Sequence, residues 1–101
     1  MKKIINHKMY NTETAERLAS SSNGYGYDDF RYMEEQLYRK KTGEFFLYGE
    51  GGALSCYRRR YGNNSIGGED IFPLTEDEAK AWVEENCNAD IYIQIWGEVE
   101  E

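Results

Sequence analysis

The stretch Phe30-Arg31-Tyr32-Met33-Glu34-Glu35-Gln36-Leu37-Tyr38-Arg39-Lys40-Lys41-Thr42-Gly43-Glu44-Phe45-Phe46-Leu47-Tyr48 decides the fold class. Its first half alternates, placing Tyr32, Glu34, Gln36 and Tyr38 on one face and Met33, Glu35, Leu37 and Arg39 on the other. Glu44-Phe45-Phe46-Leu47-Tyr48 is rich in aromatic residues suited to a pleated surface. Two such runs joined by a short link ending in Gly43 predict a β-hairpin. Neither face of the first run is cleanly apolar, which suits a twisted strand or a sheet edge.

Downstream, Thr75-Glu76-Asp77-Glu78 has the spacing of a capping box, Thr75 accepting from the backbone while Glu78 reaches back. Its acidic residues suit the positive end of a helix dipole. Ala79, Trp82 and Val83 supply a buried stripe, Glu76 can pair with Lys80, and Asn86–Asn88 ends the helix. Glu69 to Leu74 returns to the sheet, with Pro73 near its end because proline donates nothing to a ladder.

Upstream, Lys3–Tyr10 is predicted as one short strand. Asn11-Thr12 is read as an N-cap, followed by a helix with Ala15, Leu18 and Ala19 on one side. Tyr25-Gly26-Tyr27-Asp28-Asp29 is a loop with two aromatic anchors. Gly49-Glu50-Gly51-Gly52 breaks the strand at a turn needing positive φ, and Gly62–Gly68 is a loop. Two segments stay open. Residues 53–61 fit a short helix or an irregular strand, and 90–96 fit a strand or a helix capped by Asp90 and stopped by Gly97. The expected architecture is therefore α+β: a small, mostly antiparallel sheet of three to five strands packed with two or three short helices, in a single domain over residues 1–101.

Nineteen acidic residues against twelve basic ones give a net charge of −7. Such a surface repels nucleic-acid phosphates and anionic membranes in general and is drawn to basic surfaces. Nine tyrosines are more than so small a core can hide. Met1–Lys8 has no apolar run of signal-peptide length, and the two cysteines, Cys56 and Cys87, lack a paired-thiol motif. The expectation is a cytoplasmic protein with reduced thiols and no membrane span.

Candidate chemistry is sparse. His7 with Cys56 or Cys87 has no spacing that signals a nucleophilic pair, and these three residues cannot complete a four-ligand zinc site by themselves. Gly49–Ser55 echoes a phosphate-binding loop but lacks the lysine and adjoining hydroxyl residue of that pattern. No enzyme, cofactor, metal or small-molecule substrate is expected. Two basic clusters interrupt the acidic background, Arg39-Lys40-Lys41 and Arg58-Arg59-Arg60, and offer a local contact to RNA phosphates, the second flanked by Tyr57 and Tyr61 as stacking candidates. Their plainer role is to balance nearby carboxylates. The acidic groups offer a phosphate-like array to a basic cleft, with Glu34, Glu35, Glu50, Glu69 and Asp70 as the candidate partner-binding residues.

The run Tyr38-Arg39-Lys40-Lys41-Thr42-Gly43-Glu44-Phe45-Phe46-Leu47-Tyr48-Gly49-Glu50-Gly51-Gly52-Ala53-Leu54-Ser55, with Gly67-Gly68-Glu69-Asp70-Ile71-Phe72-Pro73-Leu74-Thr75, resembles a family of short mobile-element proteins of Gram-positive bacteria. Glu76–Trp82 and Trp96-Gly97 extend the resemblance to roughly residues 32–97. Some proteins of this look are anti-CRISPR inhibitors of type II effector nucleases. The resemblance implies a non-enzymatic protein in a bacterial host cell that binds such an effector, with its guide RNA as a further candidate partner, or blocks its guide-RNA loading or DNA binding. It carries over no catalytic residue. The alternative is an accessory or regulatory protein-binding module of the mobile element.

Overall fold

The computed structural model describes all of Met1–Glu101. Its element order is β1 (Lys2–Ile5), β2 (Lys8–Asn11), β3 (Glu16–Ser22), β4 (Met33–Arg39), β5 (Phe45–Gly51), β6 (Arg59–Tyr61), β7 (Asn64–Ile66), β8 (Gly68–Leu74), α1 (Glu76–Asn86) and α2 (Ala89–Trp96). The fold is α+β. A four-stranded sheet runs in the order β3-β4-β5-β8, and β1-β2 and β6-β7 form two separate hairpins. All pairings are antiparallel.

Cross-strand register sorts the central sheet into two faces. Leu37, Leu47 and Phe72 lie opposite one another, as do Arg39, Phe45 and Leu74. On this face Ala19, Leu37, Phe45 and Leu47 pack with Ala79 and Val83 of α1, and Ile91, Ile95 and Trp96 of α2 close the layer. The other face carries Tyr38, Phe46 and Ile71, covered by Tyr10 of the β1-β2 hairpin. Tyr38 stacks on Phe46 at 5.2 Å and Tyr10 meets it edge-on at 5.6 Å. Leu37, Phe46, Ile71 and Val83 are almost completely enclosed, and each such side chain stabilises the fold by about 1.5–3 kcal/mol.

The central hairpin, the Thr75 capping box and the return of Glu69–Leu74 to the sheet all form as the sequence predicts. The Glu76–Lys80 pair closes at 3.6 Å. Trp82 departs in part: it is half-buried at the margin of the stripe, with its indole N–H donating to Glu35 at 3.1 Å. The open segment 90–96 is helical, capped by Asn88, whose side chain accepts from Ile91 N at 3.1 Å, rather than by Asp90, and stopped at Gly97.

Other expectations are corrected. No helix follows Asn11. Asn11 Oδ1 accepts from Glu13 N, a turn that mimics a helix cap, and the chain enters β3 instead. A register shift between Arg17 and Ala19 lets consecutive Leu18 and Ala19 both pack on the core, and that bulge made a strand look helical. Lys3–Tyr10 is a hairpin, turning at Asn6 and His7, both at positive φ. Gly62–Gly68 is not simply a loop, since Asn64–Ile66 pairs with Arg59–Tyr61; that pairing also makes the end of segment 53–61 a strand. Tyr25 and Tyr27 are exposed and anchor no core.

Gly49–Gly52 does not break the strand either, because β5 runs through Gly51, and none of its glycines has positive φ. Their absent side chains admit close neighbours: a Cβ on Gly49 would overlap the Tyr57 ring. No helix is long and apolar enough to cross a membrane.

Candidate functional site

Where the β1-β2 hairpin stops covering its face of the sheet, the strands present an acidic row. Glu34 of β4 lies directly opposite Glu50 of β5, and Glu50 directly opposite Glu69 of β8. Adjacent strands are about 4.8 Å apart, so three carboxylates line up across about 10 Å of sheet. Like charges directly opposite in a ladder are destabilising.

Two tyrosines hold the row together. The Tyr32 hydroxyl lies 3.0 Å from Glu34 Oε2 and 2.9 Å from Glu50 Oε1. The Tyr48 hydroxyl lies 2.8 Å from Glu50 Oε2 and 2.7 Å from Glu69 Oε2. Burial, followed by these carboxylate contacts, pushes both phenols well above the ordinary tyrosine range, so they remain protonated donors. A phenol carries one proton, so two O–H groups serve four oxygen–oxygen contacts. The row is short of donors, which a guanidinium or ammonium group from outside can supply. Glu69 is exposed at the β8 side, and Glu34 and Glu50 are half-buried. Beside the row, Tyr27, Tyr32, Glu50, Gly51, Gly52, Gly67, Gly68 and Glu69 line an open cleft of about 400 Å³.

The five predicted partner-binding residues therefore separate. Glu34, Glu50 and Glu69 converge. Glu35 does not join them, because strand alternation turns it to the helix face, where it accepts from the Tyr57 hydroxyl and from Trp82 Nε1. Asp70 alternates away from Glu69 and is held by Lys3 Nζ at 2.6 Å and by Ile71 N at 2.8 Å. Burial raises the Asp70 pKa, but the Lys3 and Ile71 hydrogen bonds, with the Lys3 and Arg59 charges, leave it below the usual carboxylate range. Both residues tie elements together. Sequence reasoning missed Tyr32 and Tyr48 as members of the row; the signal was the i, i+2 spacing of Tyr32 with Glu34 and of Tyr48 with Glu50 on alternating strands.

The other candidates stay scattered. His7 is exposed in the β1-β2 turn, Cys56 is exposed near Met33, and Cys87 ends α1. No group of three or more His, Cys, Asp or Glu residues is placed to hold a metal ion. Of the first basic cluster, Arg39 pairs with Glu16 at 3.1 Å and Lys40 with Glu44 at 3.4 Å, the balancing role expected. No family of known proteins, no curated protein and no solved structure matches the chain.

Proposed function

We propose that this protein is a non-enzymatic binding module that presents the Glu34–Glu50–Glu69 row to a basic groove of a partner protein. The observation that carries the reading is the donor-poor row itself, three directly opposed carboxylates sharing two phenolic protons. An isolated sheet gains nothing from opposed like charges, and breaches of local design rules concentrate at functional sites. A net charge of −7 adds long-range steering toward a basic partner.

The resemblance over residues 32–97 supports one partner: a type II CRISPR effector nuclease in a bacterial cytoplasm, bound in the positively charged channel that holds guide RNA and target DNA. In this reading the row stands in for phosphates, and the protein inhibits by occupancy without chemistry of its own. The test is cleavage of target DNA by purified type II effectors, with the protein added before or after guide RNA. Inhibition only before loading identifies competition with guide RNA, and inhibition at either stage identifies a block of DNA binding or cleavage. No inhibition in either order, across several type II effectors, rejects the anti-CRISPR role.

A further inference from the structure

The second basic cluster behaves unlike the first. The segment Gly51–Gly68 contains three arginines and no acidic residue in a chain of net charge −7. It folds into the β6-β7 hairpin, which is not part of the main sheet. Arg58, Arg59 and Arg60 are all exposed, and none forms an ion pair with a carboxylate. Two are instead held by backbone oxygens: Arg58 Nη1 donates to Ser55 O at 3.1 Å and Arg59 Nη2 to Glu69 O at 2.8 Å. The Arg59 stem lies against Gly68, where a Cβ would come within 2.9 Å of its Cγ. Asp70 lowers the potential near Arg59, but its own ion pair is with Lys3. The Arg60 guanidinium has no hydrogen-bond partner within the protein. Each guanidinium carries five N–H donors, so most of the donors in this cluster remain free.

An aromatic ring lies beside them. Tyr61 is 75% exposed, the second most exposed of the large apolar and aromatic side chains after Tyr27, and shares a face of the hairpin with Arg59 and Ile66. Tyr57 cannot play that part, because it is buried over Gly49 with its hydroxyl on Glu35. Positioned arginines with unused donors beside an exposed ring match the chemistry of a phosphate backbone with unstacked bases.

We infer that the β6-β7 hairpin is a second binding site for a single-stranded nucleic acid: Tyr61 stacks on a base, Arg59 on the same face contacts a phosphate, and Arg58 and Arg60, the latter placed on the opposite face by strand alternation, reach flanking phosphates as the strand passes round the edge of the hairpin. This goes beyond the proposed function and does not depend on the acidic row, which faces a basic protein. The −7 field opposes nucleic acid elsewhere, so the contact is short and salt-sensitive.

The test is fluorescence anisotropy with labelled oligo(U) RNA and oligo(dT) DNA, titrated with the intact protein. Three phosphate contacts give a logarithmic salt slope of about −2, which is ~20-fold weaker binding on raising salt from about 50 to about 200 mM. The triple variant Arg58→Ala/Arg59→Ala/Arg60→Ala should abolish binding. Arg60→Glu breaks no side-chain hydrogen bond or ion pair within the fold and should weaken binding at least about tenfold, and Tyr61→Ala about fivefold or more. Absence of binding at low salt, or binding unchanged in both Arg60→Glu and Tyr61→Ala, overturns the inference. Competition by polyglutamate as strong as that by oligonucleotide also overturns it, assigning the hairpin to an acidic polypeptide instead. None of these outcomes bears on whether the acidic row inhibits a nuclease.

Discussion

Glu34 and Glu35 are neighbours of identical chemistry, and the structure assigns them opposite roles. Glu35 is half-buried, and its carboxylate ties β4 to α1 and to the turn before β6 by accepting from the Trp82 indole N–H and from the Tyr57 hydroxyl. Glu35→Ala leaves both donors without a partner beneath α1. A hydrogen bond to a charged group contributes about 1.5–3 kcal/mol, so loss of two, discounted for partial exposure, costs about 3 kcal/mol. For a domain of this size that corresponds to a melting temperature lower by about 12–24 °C. Glu34→Ala removes one of three opposed carboxylates and should change stability by no more than about 0.5 kcal/mol. Urea unfolding followed by tryptophan fluorescence, with thermal melts by circular dichroism, compares the two variants directly. An unshifted midpoint for Glu35→Ala, or an equal loss in Glu34→Ala, would refute the assignment of faces.

Thr75→Ala frees the Glu78 N–H, now bonded at 3.1 Å, and should cost about 0.5–2 kcal/mol in urea unfolding, with inhibition and oligonucleotide binding unaltered. Tyr32, Tyr38, Tyr48 and Tyr57 all titrate above the ordinary tyrosine value of 10.0, chiefly through burial. Because the unfolded chain releases those protons first, stability should fall as pH rises above about 10, and phenolate absorbance at 295 nm should show a late phase from these four side chains that coincides with unfolding. Ionisation of all nine while the protein remains folded would contradict those environments. Asp70 has a folded-state pKa below 3.8, so its contribution is complete above that value and is lost as pH falls through the lower one. Asp70→Asn should therefore be less stable than the parent at neutral pH and lose less on acidification, as read from denaturation midpoints.

The parts of the fold visible in the sequence are those with strong local signals. Thr75–Glu78 specifies its cap through neighbouring residues alone, and the alternation ending at Gly43 specifies the central hairpin. The segments misread are those whose local pattern is overridden by pairing at a distance. Glu16–Ser22 becomes a strand because Ala19 finds Leu37 on β4, and the bulge at Leu18 disrupts the period of two that would have announced it. Tyr10 is buried only because Phe46 and Tyr38 lie beneath the hairpin that carries it. The candidate site was half legible for the same reason. Glu34, Glu50 and Glu69 are visible as acids, but their alignment depends on the β4-β5-β8 register, which also removes Glu35 and Asp70 from the same surface.

Engagement of a basic partner by the donor-poor carboxylate row is measured by titrating parent protein and the Glu34→Gln/Glu50→Gln/Glu69→Gln variant into the type II effector cleavage assay. Glutamine keeps the side-chain length while removing the row's charge, and the variant should melt at or slightly above the parent because opposed charges are relieved. The parent should inhibit, and the folded variant should require at least about tenfold more protein for the same inhibition, the gap narrowing as salt rises and screens the parent's charge. A variant that inhibits as well as the parent at low salt would contradict the assignment of the row as the binding surface.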